Sequence, residues 1–309
     1  MPRAGTTAMI RALSRDARVA AFGETLFWGR HWCEPDANGG LDRRSLDRMA
    51  DSITSLKLEP RGEDGLWADS TEIVERLASA IRDAPDGSEP GEVFRAMTDL
   101  VLDATGREFW VEKTPHHMMH LDRIRRWMPG SRFVVMLREP RAFLQSYKQQ
   151  GDRKAPSVRR EFHRLYHPAA ASTVAKRTYL AAAREADHED VLLVPLESVQ
   201  REPDVWMPRI RRHLRLPESD RSDFDQDNSS FAGGEVTTRP LCPTELAWLR
   251  RIAGPAAAGA GYDVEDLPTA PLSLALSAAM LPWWAISNAR TLSRLDRGGL
   301  PSLVRRWLG

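Results

Sequence analysis

FWVEKTPHHMMHLDRIRRWMPGSRFVVMLREPRAFLQS, residues 109 to 146, holds two short apolar runs on either side of a segment with helical spacing. RFVVMLREP (132–140) is Val-rich with an aromatic, and Pro129-Gly130 and Pro140 bound it, which is the composition of a buried strand. FWVEK (109–113) reads in the same way. Between them HHMMHLDRIRRWM (116–128) carries apolar residues at helix period until Pro-Gly stops it. Pro140 sits where the first turn of a helix tolerates its ring, so RAFLQSYKQQ continues as a helix.

Outward from this core the alternation persists. A helix over 169–187 leads to the apolar run VLLVPLE (191–197), and PDVWMPRIRRHLRL (203–216) reads as another helix. Strands alternating with helices from 109 to 216 predict an α/β fold, a mainly parallel sheet flanked by helices. Upstream, Val93, Phe94, Met97, Leu100 and Val101 mark a helix that ends at Gly106. DAPDGSEPGE (83–92) reads as a surface linker, and 36–50 and 59–70 as loops around short helices. The basic KAPSVRREFHRLYHP (154–168) has the look of a lid or insertion. No repeat or low-complexity tract is present.

At 309 residues one large domain is the default. The 44 basic against 43 acidic residues make no electrostatic case for a nucleic-acid partner. Only five of the basic residues are Lys (57, 113, 148, 154 and 176), so a lysine at a strand end is informative. Cys33 and Cys242 lie far apart without ligand spacing, so neither a disulfide framework nor a structural zinc is expected, and a reducing cytoplasm fits. No signal peptide is visible, and the apolar LSLALSAAMLPWWAIS (272–287) is too short and interrupted to predict a bilayer span.

The N-terminal PRAGTT (Pro2–Thr7) precedes apolar residues at helical spacing, Met9, Ile10 and Leu13. It reads as a tight loop feeding a helix N-terminus, where free N–H groups attract phosphate or sulfate; a basic arm that happens to contain Gly-Thr-Thr is the alternative. Such loops hang from the end of a buried strand, and here none precedes it. Arg138 leaves the best strand, and Ser146 follows after a little over two turns at ~3.6 residues per turn, so both can face one anion.

PRAGTT, then EKTPHHMMHLDRIRRWMPGSRFVVMLREPRAFLQS, then VLLVPLESVQREPDVWMPRIRRHLRLPES with NSSF (228–231) stand in the order of the PAPS-dependent sulfotransferases. The chain resembles that family to about Tyr262. The resemblance implies a P-loop NTPase-like sulfotransferase fold over 1–265; outside it, residues 266–309 read as a helical tail. It implies PAPS (3′-phosphoadenosine 5′-phosphosulfate) as donor and no metal. Arg3, Ala4, Gly5, Thr6 and Thr7 would take the 5′-phosphosulfate, Arg138 and Ser146 the 3′-phosphate, and Lys113 the sulfate and the bridging oxygen. Sulfuryl transfer, like phosphoryl transfer, rests on positioning and charge neutralisation, which suits a lysine there. The acceptor hydroxyl needs a general base. Glu24 matches the catalytic glutamate of the tyrosylprotein-type members; the cluster His116, His117 and His120 stays open as the second choice, His117 foremost, since other members place a histidine just past the same lysine. His116 and His120 at i, i+4 also raise a metal site, which the resemblance disfavours.

Three departures qualify the resemblance. Pro195-Leu196-Glu197 stands where many members carry Tyr-Glu-Asp, so Leu196 offers only apolar packing. The glycine-rich basic loop of cytosolic members is missing, with Ser229, Ser230 or Arg239 as substitutes. Met1 occupies the residue before Pro-Arg, so the first strand is missing, and a start upstream of Met1 is the economical expectation. Acceptor classes left open are a small molecule, carbohydrate, lipid or peptide. The tail beyond 272 reads as a helix packed on the core or in a dimer interface, or, with Trp283, Trp284 and its arginines, as a peripheral membrane contact. Two other functions stay in view: a non-catalytic or membrane-peripheral protein of this fold, and a P-loop kinase or NTPase, for which GxxxxGK[ST] is absent.

Overall fold

The computed structural model describes residues 1–54, 70–153, 156–219, 224 and 239–295. In chain order the helices and strands are α1 (Thr6–Ser14), β1 (Val19–Phe22), α2 (Arg43–Ile53), α3 (Ser70–Asp83), α4 (Pro90–Thr105), β2 (Phe109–Glu112), α5 (Leu121–Trp127), β3 (Phe133–Leu137), α6 (Pro140–Lys148), α7 (Pro156–Leu165), α8 (Pro168–Glu185), β4 (Val191–Pro195), α9 (Leu196–Arg201), α10 (Pro203–His213), α11 (Pro243–Gly259) and α12 (Pro271–Leu295). They divide into two compact units, Met1–Leu137 with Glu185–Gln226, and Arg138–Arg184 with Asp227–Gly309.

The first unit holds the strands. β1 pairs in parallel with β2, Val19 opposite Phe109 and Phe22 opposite Glu112; β3 pairs in parallel with β4, Phe133 opposite Val191 and Leu137 opposite Pro195. The α/β class with parallel strands is therefore as expected, and β2, β3 and β4 form where their Val and aromatic runs placed them. β1 was not read from the sequence. VAAF has four residues, two of them Ala, and takes its strand conformation from the β2 edge and from α1 and α4 packed on it.

Among the described residues no ladder joins β2 to β3. A cavity of about 320 Å³ meets both strands, lined by the consecutive residues 110–114 on one side and 133–136 on the other. Successive strand residues face opposite ways, so a cavity touching every one of them lies along the strand edges and not on a face. Met1 lines the same cavity, its side chain buried and its amine pulled down to about 5 by burial.

Local chemistry explains the helix ends. α4 begins at Pro90, three residues before the apolar pattern, because Glu89 and Glu92 form a capping box around the N1 proline. It stops at Gly106, whose φ of 63° is left-handed. Glu139 caps α6, accepting from the amides of Arg141 and Ala142 at 2.9 and 2.6 Å. The single helix expected over 116–128 is instead a 3₁₀ turn, Pro115–Met119, followed by α5, with His120 at φ −134° between them. His116 and His120 are thus not a helical i, i+4 pair.

The second unit is helical. α11 packs against α6 and α12, and α12 against α7, so the segment read as a lid is a packed helix from Pro156 onward. Glu245 anchors this unit: it accepts from Lys148 Nζ at 2.8 Å, from the Tyr166 hydroxyl at 2.9 Å and from the Cys242 amide at 2.7 Å. The tail forms α12, continuous through Pro282. No helix among the described residues is long and apolar enough to cross a membrane.

Candidate functional site

PRAGTT becomes the entry to α1. Arg3 and Gly5 both adopt left-handed φ, 65° and 73°, and Gly5 is the N-cap, which brings no side chain to the first turn. A Cβ on Gly5 would stand 2.5 Å from Leu196 Cδ1, so the loop packs directly on Leu196. The left-handed φ is what favours glycine there, since the terminal methyl of Leu196 can rotate away from a Cβ. Ala4 is fully buried beneath the turn. Met9, Ile10 and Leu13 bury the inner face of α1 and fix the direction of its N-terminal amides.

Lys113 follows β2 directly. Its side chain is only 9 % exposed, and its Nζ meets Glu24 Oε1 at 2.6 Å. Glu24 is 45 % exposed, in the loop after β1. Two residues singled out for different reasons are thereby brought into one ion pair. Thr6, in the first turn of α1, lines the same cavity as Lys113.

Beneath this pair lies a network that sequence reasoning missed. Glu112 Oε1 accepts from the Thr25 amide at 3.1 Å, from Thr25 Oγ1 at 2.9 Å and from Thr114 Oγ1. Glu112 Oε2 lies 3.1 Å from His117 Nδ1. Burial pushes the Glu112 carboxyl upward, but His117 and the hydrogen bonds from His117, Thr114 and Thr25 outweigh it and hold the group below the ordinary glutamate value. The Leu26 amide donates to Thr114 Oγ1 at 3.3 Å. The loop carrying Glu24 is in this way stitched to the strand end carrying Lys113. A signal was present: a Glu inside an otherwise apolar FWVE run, with Thr two residues on and His five.

His117 belongs to that network. The Trp28 amide donates to its Nε2 at 3.4 Å, which leaves the ring proton on Nδ1, facing Glu112. Both nitrogens are engaged in a buried position, an arrangement that orients residues and offers no free lone pair to an acceptor. His116 is exposed. His120 is pulled down to about 4, by burial first and by Arg123 and the neighbouring histidines next, and so is neutral near pH 7. No group of three His, Cys, Asp or Glu among the described residues is arranged to hold a metal.

The remaining residues fall in the second unit. Arg138 opens it, its carbonyl accepting from the Tyr179 hydroxyl at 2.6 Å. Ser146 lies buried on α6. Its neighbour Gln145 donates to the Arg239 carbonyl at 2.6 Å, which fixes Arg239 beside α6. Ser229 and Ser230 lie outside the described residues.

A model of the sulfotransferase family matches residues 1–220. A solved structure, the sulfotransferase domain from the Synechococcus PCC 7002 olefin synthase, is 14 % identical, with 90 % of this chain and 91 % of that one covered at a TM-score of 0.43. No curated protein matches the chain.

Proposed function

The chain belongs to the sulfotransferase family, and we propose that it moves a sulfuryl group from PAPS to a hydroxyl (or amine) of a small-molecule, carbohydrate, lipid or peptide acceptor. The observation that carries this reading is the 2.6 Å contact between Lys113 and Glu24, at a cavity that Thr6 also lines. An anion donor needs amides and a cation at one end of the reacting bond, and a base at the acceptor. Glu24 takes the acceptor proton, the acceptor oxygen bonds to sulfur, and the sulfur–oxygen bond to the 5′-phosphate breaks with its electron pair left on the phosphate. Lys113 neutralises that developing charge. Before the donor arrives the two hold each other in place, and an incoming sulfate competes for Lys113 and so releases Glu24. The loop Arg3–Thr7 supplies backbone donors and one guanidinium to the 5′ end. Arg138 and Ser146 take the 3′-phosphate, with Arg239 supporting them.

Calorimetric titration of 3′-phosphoadenosine 5′-phosphate tests the nucleotide half. Saturable binding is expected, weakened about tenfold or more by Arg138→Ala and not reproduced by ATP with magnesium. Lys113→Met is expected to lower sulfuryl transfer from labelled PAPS by about 10²–10³ fold, and Glu24→Gln by about 10²–10⁴ fold. Absence of nucleotide binding, or ATP turnover that depends on magnesium, refutes the assignment.

A further inference from the structure

α12 half-buries Leu274, Leu281 and Trp284 and still leaves a second row of large apolar side chains uncovered. Two hydrogen bonds tie it to its own unit: Ser277 Oγ accepts from Trp248 Nε1 at 3.0 Å and Trp284 Nε1 donates to the Arg164 carbonyl at 3.0 Å. Away from it stand Leu272, Leu276, Met280, Trp283 and Ile286, between 56 and 76 % exposed. At 100° per residue these five fall within an arc of about 120°, along about 21 Å of helix. Scattered exposed apolar residues are ordinary, but a continuous stripe of large ones marks a docking face.

We propose that this stripe docks on an anionic phospholipid surface, with α12 lying in the plane of the interface. Charge argues for it. No Asp, Glu, Lys or Arg occurs between Asp266 and Arg290, whereas residues 290–309 carry five Arg (290, 294, 297, 305 and 306) against the single Asp296. An apolar face with an exposed Trp, continued by a basic segment, is the combination that binds the boundary of acidic headgroups and acyl chains. The surface belongs to the second unit alone and does not depend on the sulfuryl-transfer reading.

Vesicle flotation of the full chain tests it, using phosphatidylcholine alone and phosphatidylcholine with about one-third phosphatidylglycerol. Flotation with the acidic vesicles, weaker with neutral ones and weakened by added salt, is expected. The double variant Leu276→Glu, Ile286→Glu changes only exposed positions and is expected to lose at least about tenfold in partitioning while its unfolding midpoint stays put. Nucleotide titration on the same variant, unchanged, separates this proposal from the catalytic one. Failure of the parent protein to float, or equal flotation of the double variant, overturns it. So does light scattering that shows a dimer which the double variant dissolves, with no vesicle binding by either.

Discussion

Replacing Glu112 probes the network that joins the two halves of the proposed catalytic pair. In Glu112→Ala the Thr25 amide, at a position 1 % exposed, loses its acceptor, and the buried His117 loses the partner of its Nδ1 proton. Each buried donor left unmatched costs about 1–3 kcal/mol. The two threonine hydroxyls can rotate to other partners and add little. The sum is about 2–6 kcal/mol. Glu112→Gln keeps the shape and the acceptor for Thr25, but it turns an amide NH₂ or a weaker oxygen towards His117, and a change of His117 tautomer would break the Trp28 contact. That variant should lose less, about 1–3 kcal/mol.

Urea unfolding at pH 7, read as a shift in midpoint at constant slope, measures both variants. The pH dependence gives a second check. The carboxyl is held below the ordinary glutamate value in the folded protein, so its contribution is fully present above that value and disappears as pH falls through the folded one. The gap between parent and Glu112→Gln must therefore narrow in acid and stay constant near neutrality. A Glu112→Ala cost under about 1 kcal/mol, or a gap that widens in acid, would falsify the account of Glu112 as the tie between loop and strand.

His31 and His120 are both pulled down to about 4 by burial, so the unfolded chain takes up their protons first and stability should fall as pH drops from about 6.5 towards 4. With partial solvent screening the loss is about 1–2 kcal/mol for each, readable as proton uptake on unfolding at pH 5, and zero uptake contradicts it. Asp16 bonds Arg18 at 2.9 Å and also Arg211, whose side chain is nearly buried and reaches the Pro217 carbonyl. Asp16→Ala should cost about 3 kcal/mol by leaving Arg211 without its carboxylate, and an unchanged melting temperature argues that Pro217 suffices. Joining a short apolar strand-forming segment ahead of Met1 should raise the urea midpoint, because it can pair with the edges of β2 and β3 and removes a buried amine, whereas a Gly-Ser segment of equal length should not. Equal effects from both segments would show that the cavity does not select a strand.

What the sequence made legible follows the length and composition of each run. β3 is five residues of Val, Met, Leu and Phe between two proline boundaries, and no other element competes for that pattern. β1, with two alanines in four residues, has no pattern of its own and exists because the β2 edge is there to receive it. The break at His120 escaped for a different reason: apolar spacing over 116–128 is compatible with a helix, and only the packing of His117 between Glu112 and Trp28 makes the 3₁₀ turn the better solution. Glu112 escaped because period and composition treat a strand-end carboxylate as solvated, while Thr25, which supplies two of its donors, lies 87 residues away.

Lys113 and Glu24 were legible as residue types a sulfuryl transfer needs, and the fold adds the reason they can act together. Glu112 and Lys113 are neighbours at a strand end, so their side chains diverge. One turns inward to bind the Thr25 loop and the other meets the carboxylate that the same loop carries, at 2.6 Å. A single strand terminus thus sets the position of Lys113 through its backbone and the position of Glu24, the proposed base, through its buried neighbour. Moving either partner moves both, which is why a change at Glu112, outside the reacting groups, should reach the nucleotide affinity of Lys113 as well as the stability of the strand.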